Sequence, residues 1–126
     1  ARFDASVSVD VSTTAGASAG IVALQNETHY YYLGVKRTAD GISLFLEKSN
    51  GKAPEIVATA ALPDAKNLTL RLSADEKILT AAYSVRAGEW KTLVPDADAL
   101  AISVQAAGGG LHFTGAVVGP YARLEP

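Results

Sequence analysis

The strongest constraint on this chain is the two-residue period of its apolar side chains. Over residues 3–11, Phe3, Ala5, Val7, Val9 and Val11 alternate with Asp4, Ser6, Ser8 and Asp10. Alternation of this kind puts one set of side chains on each face of a β-strand, one dry and one wet. The pattern returns at Ile42, Leu44 and Leu46, and again at Leu68, Leu70 and Leu72. Residues 19–24 and the run Tyr30-Tyr31-Tyr32-Leu33-Gly34-Val35 are apolar on both phases, as strands buried on two sides are. Asp40-Gly41, Asn50-Gly51, Pro63-Asp64 and Ala87-Gly88 interrupt these runs with turn chemistry. About ten short strands at roughly ten-residue spacing are expected, which is the profile of an all-β sandwich or barrel. The mixture of alternating and doubly buried strands fits two packed antiparallel sheets, a jelly-roll sandwich, better than a closed barrel.

Three segments depart from simple hairpins. Trp90 to Leu93 reads as a short strand ended by Pro95, residues 96–100 as one helical turn, and residues 101–105 as an irregular strand. Gly108-Gly109-Gly110 then breaks the chain before residues 111–118. From the strand phases, Val7, Val9, Leu44, Leu46, Leu68, Leu70 and Leu72 should fill the core, and Phe45 should point away from it.

Length and charge bound what such a fold does. At 126 residues the chain is read as one domain, residues 1–126. A formal charge of −2 without a Lys/Arg cluster lacks the footprint that nucleic acid or an anionic membrane selects, and no apolar run is long enough to cross a bilayer as a helix. Cysteine is absent, which removes disulfides and thiolate chemistry while leaving secreted, periplasmic and cytoplasmic locations open. Methionine is absent too, and the chain is expected to be excised from a longer one.

Few residues promise catalysis. The acidic side chains Asp40, Asp64, Asp75, Glu76, Asp96 and Asp98 fall in turns or on wet strand faces, where a raised-pKa partner for acid–base chemistry is not expected. His29 sits in a polar turn and reads as an exposed, hydrogen-bonded side chain; His112 carries even less signal, and no nucleophile-elbow sequence accompanies either. Asp96-Ala97-Asp98 could offer two oxygens to a structural calcium, though such a site needs six to eight. No cofactor is expected.

Aromatic placement is more telling. If Tyr31, Leu33 and Val35 fill the core, Tyr30, Tyr32 and Lys36 share the opposite face, with Phe45 and Glu47 on the outer phase of the next strand and Arg71 on the polar phase of its own. Three rings beside charged groups suit stacking against a pyranose, docking against another domain, or core packing if the phase is misread. Trp90, in its hairpin, reads as core before sugar platform.

The stretch Ala19-Gly20-Ile21-Val22-Ala23-Leu24-Gln25-Asn26-Glu27-Thr28-His29-Tyr30-Tyr31-Tyr32-Leu33-Gly34-Val35 resembles the second and third strands of the C-terminal concanavalin A-like domain of glycoside hydrolase family 43 β-xylosidases and α-arabinofuranosidases. Tyr83-Ser84-Val85-Arg86-Ala87-Gly88-Glu89-Trp90-Lys91-Thr92-Leu93 is similar to its tyrosine–glycine–tryptophan hairpin, and Phe113-Thr114-Gly115-Ala116-Val117-Val118-Gly119-Pro120-Tyr121-Ala122 to its closing strands. The segments keep the family's order and span nearly the whole chain; Gly108-Gly109-Gly110 and Pro120 depart from the bulkier residues common there. The resemblance implies a non-catalytic sandwich that follows a five-bladed propeller bearing the catalytic carboxylates, packs on it and shapes the edge of its substrate pocket. On that reading, Tyr30, Tyr32, Phe45, Glu47, Arg71, His29 and Trp90 are interface or carbohydrate contacts. The alternative is an autonomous carbohydrate-binding module for xylan-type or arabinose-containing oligosaccharides; an independent enzyme is the third reading.

Overall fold

The computed structural model describes residues 2–11, 16–39, 41–62, 65–75, 77–86, 88–99 and 117–124. These form β1 (Arg2–Asp10), β2 (Ala17–Asn26), β3 (His29–Thr38), β4 (Gly41–Asn50), β5 (Glu55–Ala61), β6 (Asn67–Asp75), β7 (Ile78–Arg86), β8 (Glu89–Asp98) and β9 (Val117–Leu124). One sheet runs β1-β6-β7-β8 and the other β5-β4-β3-β2-β9. Every pairing is antiparallel. The molecule is the expected two-sheet antiparallel sandwich. The strand expected over 101–105, the glycine run at 108–110 and residues 111–116, His112 among them, lie outside the described residues, as do Asp40, Asp64 and Glu76.

The core forms where the two alternating patterns meet. Ile21, Ala23, Tyr31, Leu33, Val35, Ile42, Leu44 and Leu46 from one sheet interleave with Val9, Leu68, Leu70, Leu72, Leu79 and Ala81 from the other. Val7, expected among them, is only partly buried; β1, which carries it, is an edge strand among the described residues. Tyr31 crosses the interior, and its hydroxyl donates to the backbone carbonyl of Asp98 at 2.8 Å, tying the two sheets together. Phe45 points away from the Leu44 and Leu46 face, as the alternation requires.

β8 corrects two local expectations. Pro95 does not end it, and the helical turn expected from residue 96 is strand through Asp98. β8 is an edge strand among the described residues, and at an edge the N–H that proline lacks is not needed for pairing. The register with β7 slips on either side of Ala81, and the hydroxyl of Thr80 donates to the Pro95 carbonyl at 2.9 Å. A bulge and a side-chain hydrogen bond thus carry the strand past its proline.

The outer faces of the two sheets differ. That of the four-stranded sheet is wet, with Asp4, Ser6 and Ser8 exposed along β1. That of the five-stranded sheet is closed: residues 31–35 of β3 and 44–47 of β4 are buried without interruption. Gly20 of β2 lies opposite Gly34 of β3, and Gly34 opposite Phe45 of β4. A Cβ at Gly34 would sit 2.8 Å from the Tyr32 ring and 2.9 Å from the Phe45 ring, and one at Gly20 would run into the Leu33 carbonyl. The glycines form a bare floor on which the rings lie, and the rings in turn shield it. Gly34→Ala should therefore cost about 1 to 3 kcal/mol in urea unfolding, and less in a Phe45→Ala background, where one ring no longer blocks the methyl. Equal costs in both backgrounds would refute that packing.

Candidate functional site

Alternation along β2, β3, β4 and β9 brings Ser18, Val22, Leu24, Tyr30, Tyr32, Phe45, Glu47, Tyr121 and Arg123 to one outer face. At its centre Tyr32 is fully buried and Phe45 is 2% exposed. Tyr32 meets Phe45 edge to face at 5.3 Å between centroids, and Tyr121 likewise at 5.0 Å. Its hydroxyl lies 2.8 Å from that of Ser18. Lys36 lies over the Phe45 ring at 5.5 Å.

The cover over this layer is an ion pair. Arg123 of β9 reaches across β2 and β3 to Glu47 of β4, donating from Nη1 to Oε2 at 2.8 Å and from Nη2 to Oε1 at 2.7 Å. On the way its guanidinium carbon passes 4.9 Å from the Tyr32 centroid. Tyr30 completes the group, its hydroxyl donating to Glu47 Oε2 at 2.6 Å. The Arg123 fork holds the Glu47 carboxyl below its ordinary range, outweighing the opposing effect of burial, with the Tyr30 hydrogen bond adding to it. Burial first, then the Glu47 carboxylate, pushes the Tyr30 hydroxyl up to about 12. Glu47 is thus an anion engaged by three donors. It is the opposite of a general acid, whose pKa must be raised.

The expected residues do not all gather here. Tyr30, Tyr32, Phe45 and Glu47 do, but Tyr32 and Phe45 are buried by the chain's own side chains and present no open platform, because Arg123 and Tyr121 cover Tyr32 and Lys36 lies over Phe45. Arg71 and Trp90 lie on the outer face of the other sheet. There Arg71 forks onto Asp4 with two bonds of 2.8 Å and lies 5.6 Å from the Trp90 centroid. Trp90 is 43% exposed and is not core, since its phase on β8 points outward from an edge strand. His29 is spent on its own turn, Nδ1 lying 3.1 Å from Asn26 Oδ1 and 3.0 Å from Thr28 Oγ1. Asp96 and Asp98 are exposed on β8, and no group of three metal-type side chains occurs among the described residues.

Tyr121 and Arg123 were not foreseen as site residues. Their strand carries a proline and a glycine, and only its pairing with β2 shows that both share the face of Tyr32. With Val22, Leu24 and Tyr30 they line a hollow of about 260 Å³, bounded by Asn26 and Glu27 of the β2–β3 turn.

Residues 1–125 match the model of the β-xylosidase C-terminal concanavalin A-like domain. The chain belongs to that family. Among solved structures, a GH43_12 protein retrieved from a capybara gut metagenome superposes on 96% of the domain and 23% of its own chain, with a TM-score of 0.83 and 30% identity. The GH43 protein BlXynB of Bacillus licheniformis gives a TM-score of 0.80 at 21% identity, covering 95% of the domain and 23% of its own chain. The xylan beta-1,4-xylosidase of Bacillus halodurans C-125 gives 0.76 at 19%, covering 97% and 24%. The last two show the shared fold. The domain spans about a quarter of each of these chains. No curated protein matches the sequence.

The titrations give a signed expectation. Because the Glu47 pKa is depressed in the folded domain, its stabilisation is complete above the unfolded value of 4.5 and fades as pH falls through the folded one. Glu47→Gln should lose about 2 kcal/mol at neutral pH and converge on the wild type in acid. Tyr30 has the opposite sign: its contribution is present below its ordinary 10.0 and is lost as pH rises towards 12. In Glu47→Gln the Tyr30 ionisation, followed by ultraviolet absorbance, should move down yet stay above 10.0, because burial remains.

Proposed function

We propose that this domain is a non-catalytic accessory unit of a family 43 glycoside hydrolase of β-xylosidase or α-arabinofuranosidase type, packed on the catalytic propeller of the same polypeptide and shaping the edge of its substrate pocket. The observation that carries this reading is one of proportion: the family match runs along essentially the whole chain, yet the domain spans about a quarter of the solved family 43 chains it resembles. The chemistry agrees. The carboxylate buried among the described residues, Glu47, is held as an anion by Arg123, so it supplies no proton to a leaving group.

The surface supports docking as well. β5 is an edge strand among the described residues, and it exposes Ile56 and Val57 side by side, 51% and 43% accessible. Between Glu55 and Ala61 it carries neither lysine nor proline, the usual guards of a free edge. Such an edge is costly on a lone domain and suits one covered by a neighbour in the same chain.

Two measurements test the proposal. The 126-residue chain should hydrolyse aryl-xylosides and aryl-arabinosides at the background rate; turnover abolished by replacing one acidic residue would overturn the assignment. Produced as a separate chain, the catalytic region encoded upstream should co-elute with the domain, and Ile56→Lys with Val57→Lys should abolish co-elution while the circular dichroism spectrum is unchanged. Absence of a propeller upstream, or failure of the two wild-type pieces to associate, would contradict it.

A further inference from the structure

The hollow on the outer face of the five-stranded sheet is a built cavity with its own chemistry. Val22 and Leu24 give it an apolar floor, Tyr30 and the 42%-exposed Tyr121 supply aromatic walls, and Asn26 and Glu27 bring an amide and a carboxylate to the rim. We propose that this hollow binds a single neutral pyranosyl unit.

Size, charge and polarity converge on that ligand class. At about 260 Å³ the hollow is smaller than the roughly 300 to 1,000 Å³ of pockets for drug-sized molecules, and it matches one sugar ring. The one cation lining it among the described residues is neutralised: Arg123 is forked onto Glu47, and Glu27 adds a further negative charge at the rim. An anionic ligand therefore meets no net attraction, whereas a neutral polyol meets a donor amide and an acceptor carboxylate. The Tyr30 hydroxyl is committed to Glu47, and burial keeps it protonated, so the ring itself is what Tyr30 offers. Apolar walls with a few fixed polar groups favour a molecule having one C–H face and several hydroxyls over a fully apolar one. The walls are also preorganised, since Tyr121 packs edge to face on the buried Tyr32 and Arg123 is held at both ends of its fork.

The test is a titration of the 126-residue chain with methyl β-D-xylopyranoside and methyl β-D-glucopyranoside, followed by amide chemical shifts. Sodium glucuronate and glycerol serve as comparators. At least one pyranoside should give saturable shifts confined to β2, β3 and β9 around the hollow, and glycerol none. Tyr121→Ala should weaken binding about tenfold, the scale of one lost aromatic wall, while Tyr121→Phe should stay within about twofold of the wild type. Should Tyr121→Ala lose the fold, saturation transfer from the aromatic protons of the wild type to the sugar's ring C–H protons replaces it. No saturable response to either pyranoside, tighter binding of glucuronate, undiminished binding in a folded Tyr121→Ala, or no transfer from the aromatic protons would each overturn the proposal.

Discussion

The ion pair between Arg123 and Glu47 closes a sheet that is otherwise open on one side. A sandwich needs only its inner faces dry, and the four-stranded sheet behaves that way. The five-stranded sheet instead buries Tyr32 and Phe45 on its outer face as well. Rings there would be left in water unless something covered them, and the cover comes from the same chain: Arg123 extends from the last described strand over the Tyr32 ring to a carboxylate three strands away. Burying a charge is tolerable only when its hydrogen-bonding capacity is met, and here two guanidinium donors and the Tyr30 hydroxyl meet that of Glu47. The arrangement also requires glycine at 34, where a side chain would collide with the Tyr32 and Phe45 rings, and at 20, where it would run into the Leu33 carbonyl of the neighbouring strand.

That closure decides where the domain can act. A broad aromatic platform is not available, since its two central rings are already used in packing. Among the described residues, the covered face keeps a small hollow at its margin, and β5 exposes Ile56 and Val57 along its edge. The two features suit different partners. A confined, preorganised and electrically balanced hollow suits a small neutral molecule, while a strand edge exposing Ile56 and Val57 suits protein. An accessory domain with a rigid interior and function at its margins is consistent with a unit that occupies about a quarter of its relatives' chains.

Much of this was legible in the sequence. Alternation at Leu44, Leu46, Leu68, Leu70 and Leu72 fixes the inner core, and the triple tyrosine divides between two faces as its phase requires, Tyr31 inward and Tyr30 and Tyr32 outward. What alternation reports is the side of a sheet, not what else lies on that side. Nothing local to Tyr32 reveals that Arg123, 91 positions later, covers it, nor does the phase of Arg71 reveal that its strand belongs to the other sheet. Pro95 misled for a related reason: proline ends a central strand, but β8 is an edge among the described residues, and strand order is a property of the whole fold.

The account stands most directly on a double-mutant cycle at the cover itself. Unfolding free energies of the wild type, Glu47→Ala, Arg123→Ala and the double variant give the coupling between the two side chains free of their separate effects. A part-buried, forked pair that closes the outer face should show a coupling of about 2 kcal/mol or more. A coupling below about 0.5 kcal/mol, the value of an exposed surface pair, would contradict the claim that Arg123 and Glu47 hold this face shut.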